Sequence, residues 1–169
     1  MTPEYTAKKA SAPPELTGNW SGPVWNAANE LQVAHFHPKS SAHRPSVCVR
    51  VLHDGANVYL HFQVSDRYVR CTRTDFQSMV CNDSCVEFFV QPKPDKGYFN
   101  FEVNAIGTLL VSYIEDHTRT PNGFAKFVRI PWSIGKTVQI YHSLHGIIDP
   151  EINVDTEWAV EYAIPRALF

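Results

Sequence analysis

The sequence lacks most of the features that commit a chain to a partner at sight. Neither sign of charge dominates: 15 Lys and Arg stand against 17 Asp and Glu, the formal net charge is -2, and no basic stripe of the kind that neutralises phosphates forms. Nucleic acid is therefore excluded as an expected partner. No apolar run approaches the roughly 20 residues that span a bilayer, and Met1 to Pro14 has no signal-peptide apolar core. The chain reads as a protein without a membrane partner and, as it stands, cytoplasmic; removal of a leader would make it secreted. Cysteine is scarce, with Cys48, Cys71, Cys81 and Cys85 in no Cys-x-x-Cys pair, so zinc spacing is missing. Cys48 and Cys85 lie in strand-like runs, where a free thiol behaves as a small buried hydrophobe. In an exported chain a Cys81–Cys85 or a Cys71–Cys81 bridge stays open. Glycine-rich phosphate loops and Gly-x-Ser-x-Gly are absent too.

Helical periodicity is missing almost everywhere, and period-2 alternation takes its place. The first fifteen residues, rich in Ala, Pro, Lys and Ser, predict a flexible lead-in, and residues 16–169 one domain, long enough to bury a core without disulfides or a metal. Val47, Val49 and Val51 share a face in the first clear strand. The turn residues Asp54-Gly55 then lead into Val58, Leu60, Phe62 and Val64, which alternate with Tyr59, His61 and Gln63. Further strands are expected over 84–90, 98–105, 108–114, 124–130, 137–143 and 156–164, with a polar loop over 115–123. Some eight short strands without a long helix predict an all-β fold, an antiparallel β-sandwich of jelly-roll type.

Two of these strands carry a feature that a plain sheet does not require. Opposite the apolar stripes stand Glu87 on one and Asn100, Glu102 and Asn104 on the other. If the strands are neighbours, carboxylates and amides form one patch, which His61 and Gln63 would adjoin. Such a surface suits sugars, whose hydroxyls meet planar hydrogen-bonding groups while an aromatic ring covers the apolar face of the pyranose. The plain alternative is a solvated outer face. Glu87 and Glu102 also have the residue types of a glycosidase pair, and His35 with His37 offers two imidazoles to a metal. Calcium with a structural role suits the oxygen ligands Asp54, Asp66, Asp75 and Asp83, in or beside loops.

The stretch Asp66-Arg67-Tyr68-Val69-Arg70, the run Asn82-Asp83-Ser84-Cys85-Val86-Glu87-Phe88-Phe89-Val90 and the segment Tyr98-Phe99-Asn100-Phe101-Glu102-Val103-Asn104-Ala105-Ile106-Gly107-Thr108 resemble the family 9 carbohydrate-binding modules, and most nearly their stand-alone family 9-like group. Weaker agreement runs from Trp25 to Trp158-x-x-Glu161-x-x-Ile164-Pro165. The resemblance implies a sandwich of the wider DOMON-like group, calcium ions in a structural role, for which Asp54, Asp66 and Asp83 among the loop carboxylates are the candidates, and a slot that grips sugar between two aromatic rings. Glu87 and Asn104 are the matching polar contacts, with Asn100 and Glu102 beside them. Where relatives often have an aromatic wall, two residues before the motif aspartate, this chain has Cys81, so Phe76 is the candidate to replace it. Relatives continue beyond the equivalent of Pro165, which implies a missing closing strand and a sheet edge open to a second copy of the chain. The wider group also contains haem domains, for which Met79 and a histidine would be the axial ligands. The function expected first is non-catalytic binding of mono- or oligosaccharide units of a polysaccharide.

Overall fold

A strand that is apolar on one side is stable once that side is covered, and here two stacked sheets cover each other. The computed structural model describes residues 4–121 and 123–169. Its strands in chain order are β1 (Lys8–Lys9), β2 (Glu30–Gln32), β3 (Ser46–His53), β4 (Asn57–Cys71) and β5 (Cys85–Val90). They continue with β6 (Tyr98–Asn104), β7 (Leu109–Thr120), β8 (Gly123–Arg129), β9 (Gln139–His142) and β10 (Ile148–Pro165). The first sheet has the order β1-β3-β4-β10-β9, with β2 also pairing β3, and the second is the meander β5-β6-β7-β8. Every pairing is antiparallel except that of β1 with β3.

The β3–β4 hairpin turns as its sequence predicts. Gly55 takes φ +95°, and Asp54 Oδ1 accepts from the amides of Ala56 and Asn57 at 2.8 and 2.7 Å. The Tyr59 hydroxyl donates to the same carboxylate at 2.6 Å and, with the Asn57 and Ala56 amides, holds it down to about 2. From this turn the register pairs Val51 with Leu60 and Val49 with Phe62, and β10 adds Tyr162 and Val160 opposite the same two β4 residues. Phe101, Val103 and Val111 of the second sheet complete the core.

Three elements run further than their alternation does. β4 continues to Cys71 and β7 to Thr120, and β10 begins at Ile148. In β10 the register shifts between Ile148 and Ile152, and Pro150, which has no amide to donate, sits inside that irregularity. The last six residues of β7 are exposed on both sides, so nothing selects apolar residues for either face and the segment reads as a loop in sequence.

The outer face of the first sheet is also covered. Ala10, Trp25, Leu52, Tyr59 and Ala163 form a second buried cluster, with Leu16 and Val24 packed against it. Residues 4–15 do not behave as the expected lead-in. Lys8 and Lys9 pair with Leu52 and His53, and the Tyr5 hydroxyl accepts from Val51 N at 2.9 Å. His61 and Gln63 lie on this face, away from the polar strands of the other sheet, and do not adjoin them.

A row of polar side chains crosses the covered face, because the registers place Glu30 beside Arg50, Arg50 beside His61, His61 beside Glu161 and Glu161 beside Tyr141. His61 Nδ1 lies 2.7 Å from Glu161 Oε1, and both side chains are 0% exposed. Trp20 and Trp25 stand edge-on to the imidazole at 4.8 and 5.2 Å, and the Arg50 guanidinium covers Trp20 at 4.3 Å. Removing one member of such a pair leaves the other buried without its hydrogen-bond partner, whereas replacing both by apolar groups is often nearly neutral. His61→Leu is therefore expected to lower the unfolding free energy by about 1–3 kcal/mol in urea titrations, and adding Glu161→Met to restore most of it.

Candidate functional site

In the second sheet one face belongs to the core, so alternation sends the other outward. The β5–β6 register sets Cys85 opposite Asn104, Glu87 opposite Glu102 and Phe89 opposite Asn100 on that outer face. The next register brings Leu110 beside Glu102 and Ser112 beside Asn100. Beyond Ile114 the β7–β8 pairing shifts register twice, around Asp116, and bulges of this kind bend and twist a ladder. The resulting hairpin, closed at Gly123 with φ +113°, brings Arg119, Phe124, Phe127 and Arg129 to a cavity of about 380 Å³ whose other lining includes Glu87, Glu102, Asn100, Met79 and Cys81.

Asn100 organises the floor. Its Nδ2 donates to Glu87 Oε2 at 3.2 Å and to Glu102 Oε1 at 2.9 Å, while its buried Oδ1 has no partner among the described residues. Burial and then the Glu87 charge push the Glu102 carboxyl up to about 7, against the opposing pull of Arg129 and Arg119. No ion pair between these arginines and these glutamates closes within 4.0 Å among the described residues. Arg129 donates instead to the Gln77 carbonyl and lies 3.2 Å from Met79 Sδ, and the Arg119 guanidinium covers Phe124 at 4.2 Å. Phe124 meets Phe127 edge-on, centroids 6.1 Å apart. The cavity thus has acceptors on its floor, cations at its wall and aromatic rings beside them.

Of the residues singled out in the sequence, Glu87, Glu102 and Asn100 are brought together and two others are not. Asn104 is 0% exposed: its Nδ2 donates to Arg73 O and Asp83 Oδ2, both at 2.9 Å, and its Oδ1 accepts from Thr108 N at 2.8 Å. It ties the β6–β7 turn to the loop before β5. Phe76 packs under the helical turn Trp132–Gly135, with its ring 5.0 Å from that of Trp132, and does not line the cavity. Gly135 leaves that ring its place, since a Cβ there would lie 2.5 Å from Phe76. Sequence reading does not single out Arg119, Phe124, Phe127 and Arg129: Arg119 lies in the segment read as a polar loop, and Phe124, Phe127 and Arg129 lie on a strand whose side toward the cavity depends on the register shifts around Asp116.

The residues expected to hold calcium do not fit one ion. Asp54 caps its hairpin, while Asp66, on the far part of β4, accepts from His43 Nε2 at 2.6 Å and Tyr68 N at 3.0 Å. Asp83 accepts from Thr72 N, Arg73 N and Asn104 Nδ2; burial pushes its carboxyl up, but these donors outweigh it and hold it below the usual range. Among the described residues no group of three His, Cys, Asp or Glu side chains is placed to hold a metal. His35 and His37 stand exposed between β2 and β3, with His37 Nδ1 accepting from Lys39 N at 3.1 Å. Met79, the candidate haem ligand, lies at the cavity wall beside Arg129, and no histidine lines that cavity.

Comparison with known proteins follows this geometry. The family model described as carbohydrate-binding family 9 matches residues 25–169. A crystal structure of a candidate carbohydrate-binding protein from Bacteroides uniformis is similar in fold, with a TM-score of 0.80 and 26% sequence identity, over 98% of this chain and 73% of that one. No curated protein matches the chain.

The paired carboxylates set a pH dependence. The folded pKa of Glu102, about 7, lies above the ordinary glutamate value of 4.5, so the folded state binds more protons between these limits. Stability contributed by this group is complete below about 4.5 and is lost as pH rises through about 7. In a carbon-13 titration the Glu102 carboxyl is expected to show a midpoint near 7, and Glu87→Gln to move it down. A midpoint in the ordinary carboxylate range would contradict the burial of the carboxyl, and a midpoint unmoved by Glu87→Gln would show that the pair is not coupled.

Proposed function

The chain belongs to carbohydrate-binding family 9, and we propose that it binds neutral mono- or oligosaccharide units of a polysaccharide in the cavity on the outer face of the second sheet. The Asn100 amide carries this reading. With Nδ2 engaged by both glutamates, Oδ1 is left buried without a donor among the described residues, on a side chain that lines the cavity, and a ligand hydroxyl that reached it would supply the missing hydrogen. Glu87 extends the row of acceptors and Glu102 joins it once ionised, so vicinal hydroxyls of a pyranose meet acceptors side by side. Arg119 and Arg129 donate to the oxygens on the far side of the ring, and Phe124 and Phe127 offer an apolar surface to its C–H face.

The acids serve this purpose as acceptors. Sharing one amide donor, they hold a common position on the floor, which supports binding without turnover. Titration calorimetry against a panel of neutral mono- and disaccharides is the test. Asn100→Ala is expected to weaken the best ligand at least tenfold, about 1.4 kcal/mol, and Phe124→Ala to weaken it by a comparable amount. A folded wild-type protein that takes up none of the panel, or an Asn100→Ala variant that binds as wild type, contradicts the reading.

A further inference from the structure

On the reading of the cavity as a sugar site, we propose that Gln77 is its positioning residue: it anchors the loop before β5 so that this loop holds the Arg129 guanidinium at the wall, clear of Glu87 and Glu102, and the acceptors on the floor stay open.

Gln77 has a backbone conformation that its residue type does not favour. Its φ is +68°, in the left-handed region where a Cβ crowds the following carbonyl oxygen. A glycine adopts this conformation freely, so a glutamine here persists only because its surroundings hold it. The side-chain amide supplies the hold. Its Nε2 donates to Val111 O at 3.0 Å and to Ile130 O, and its Oε1 accepts from Val111 N at 3.1 Å. The Gln77 backbone amide adds a bond to Leu109 O at 2.9 Å. A primary amide that both donates to and accepts from Val111 reproduces the exchange of an antiparallel pair. It does so where the β7–β8 ladder runs out, past Ser112 opposite Arg129 and the bond from Ile130 N to Val111 O.

The loop fixed in this way carries two partners of Arg129. The Gln77 carbonyl accepts from Nη1, and Met79 Sδ lies 3.2 Å from Nη2. Between them Ser78 closes the turn, its amide and hydroxyl donating to Asp75 O at 3.0 and 2.6 Å. Released from these partners, the guanidinium has the carboxylates of the same cavity to turn to, since a planar fork of N–H donors matches carboxylate oxygens. Arg119, also of the lining, already covers Phe124. An arginine laid across the floor would occupy the acceptors that sugar hydroxyls are to meet. The Glu102 carboxyl, pushed up to about 7 by burial and the Glu87 charge, records where the cation stands, because a closer guanidinium lowers it.

Gln77→Gly keeps the left-handed backbone and deletes the amide. In the ligand-free variant the carbon-13 midpoint of Glu102 is expected to fall by about one pH unit as Arg129 moves onto the floor. The best neutral ligand of the cavity is expected to bind this variant about tenfold more weakly. Combining Gln77→Gly with Arg129→Gln is expected to return the midpoint to the wild-type value or above. A loosening that merely admits water lowers the midpoint with or without Arg129, so a double variant that titrates as low as Gln77→Gly overturns the proposal. A folded Gln77→Gly variant with the wild-type midpoint overturns it too. Where Gln77→Gly does not fold, Met79→Ala, at an exposed side chain, removes the other partner of the guanidinium and is expected to lower the midpoint in the same direction; an unmoved midpoint there overturns the proposal. A fallen midpoint in a protein that takes up no sugar supports the positioning of Arg129 and contradicts the sugar reading, so the two failures are read separately.

Discussion

Antiparallel pairing of β5 with β6 fixes two things together: Phe88 meets Phe101 on the core side and Glu87 meets Glu102 on the outer side. Because side chains alternate, a slip of one residue would carry the phenylalanines to solvent and the glutamates into the core. The aromatic contacts of Phe101 with Phe88, Phe99 and Phe169 resist that slip. The carboxylates are thus kept opposite one another by groups that never touch the cavity. Burial, and after it the closeness of Glu87, leave Glu102 hard to ionise, and the Asn100 amide donates to both carboxylates.

This part of the molecule was legible because register and face follow from alternation, and Tyr98 to Asn104 alternates cleanly. The likeness to family 9 rested on the same run. Asn104 shows where such reading stops. It shares the parity of Asn100 and Glu102, but the chain from Arg73 to Asp83 folds across the end of the sheet and takes its amide. Parity tells which side a residue faces, not what else covers that side. Phe76 fails for the related reason that the short helical turn after Pro131, which has no periodicity to announce it, packs over its ring. Asp54, Asp66 and Asp83 each accept from backbone amides nearby, a local use of Asp that residue type and loop position do not distinguish from metal binding.

The first sheet illustrates the reverse case, in which polar composition hides a buried surface. His61 and Glu161 alternate with core residues in the manner of an outward face, yet they lie under Trp20 and Trp25. The covering segment has little periodicity because it makes few ladder bonds and docks by single residues such as Tyr5, Ala10 and Trp25. Its attachment depends on the polar row beneath. Arg50 donates to the carbonyls of Trp20 and Trp25 and to Glu30, so one guanidinium links the segment to the sheet edge, next to His61 in the register. Such a row specifies how the segment lies more than it adds stability, since buried polar groups are costly to desolvate.

The polarity of the cavity floor rests finally on bonds made inside the protein. The Asn100 Nδ2 is engaged by both carboxylates, and its Oδ1 is left an acceptor without a partner among the described residues. An amide in a solvated position presents both ends alike and discriminates little, whereas one whose donors are already taken has the polarity of its other end set by its neighbours. The character of this floor therefore follows from the strand register that brings Glu87, Glu102 and Asn100 together, and not from any one of these side chains alone.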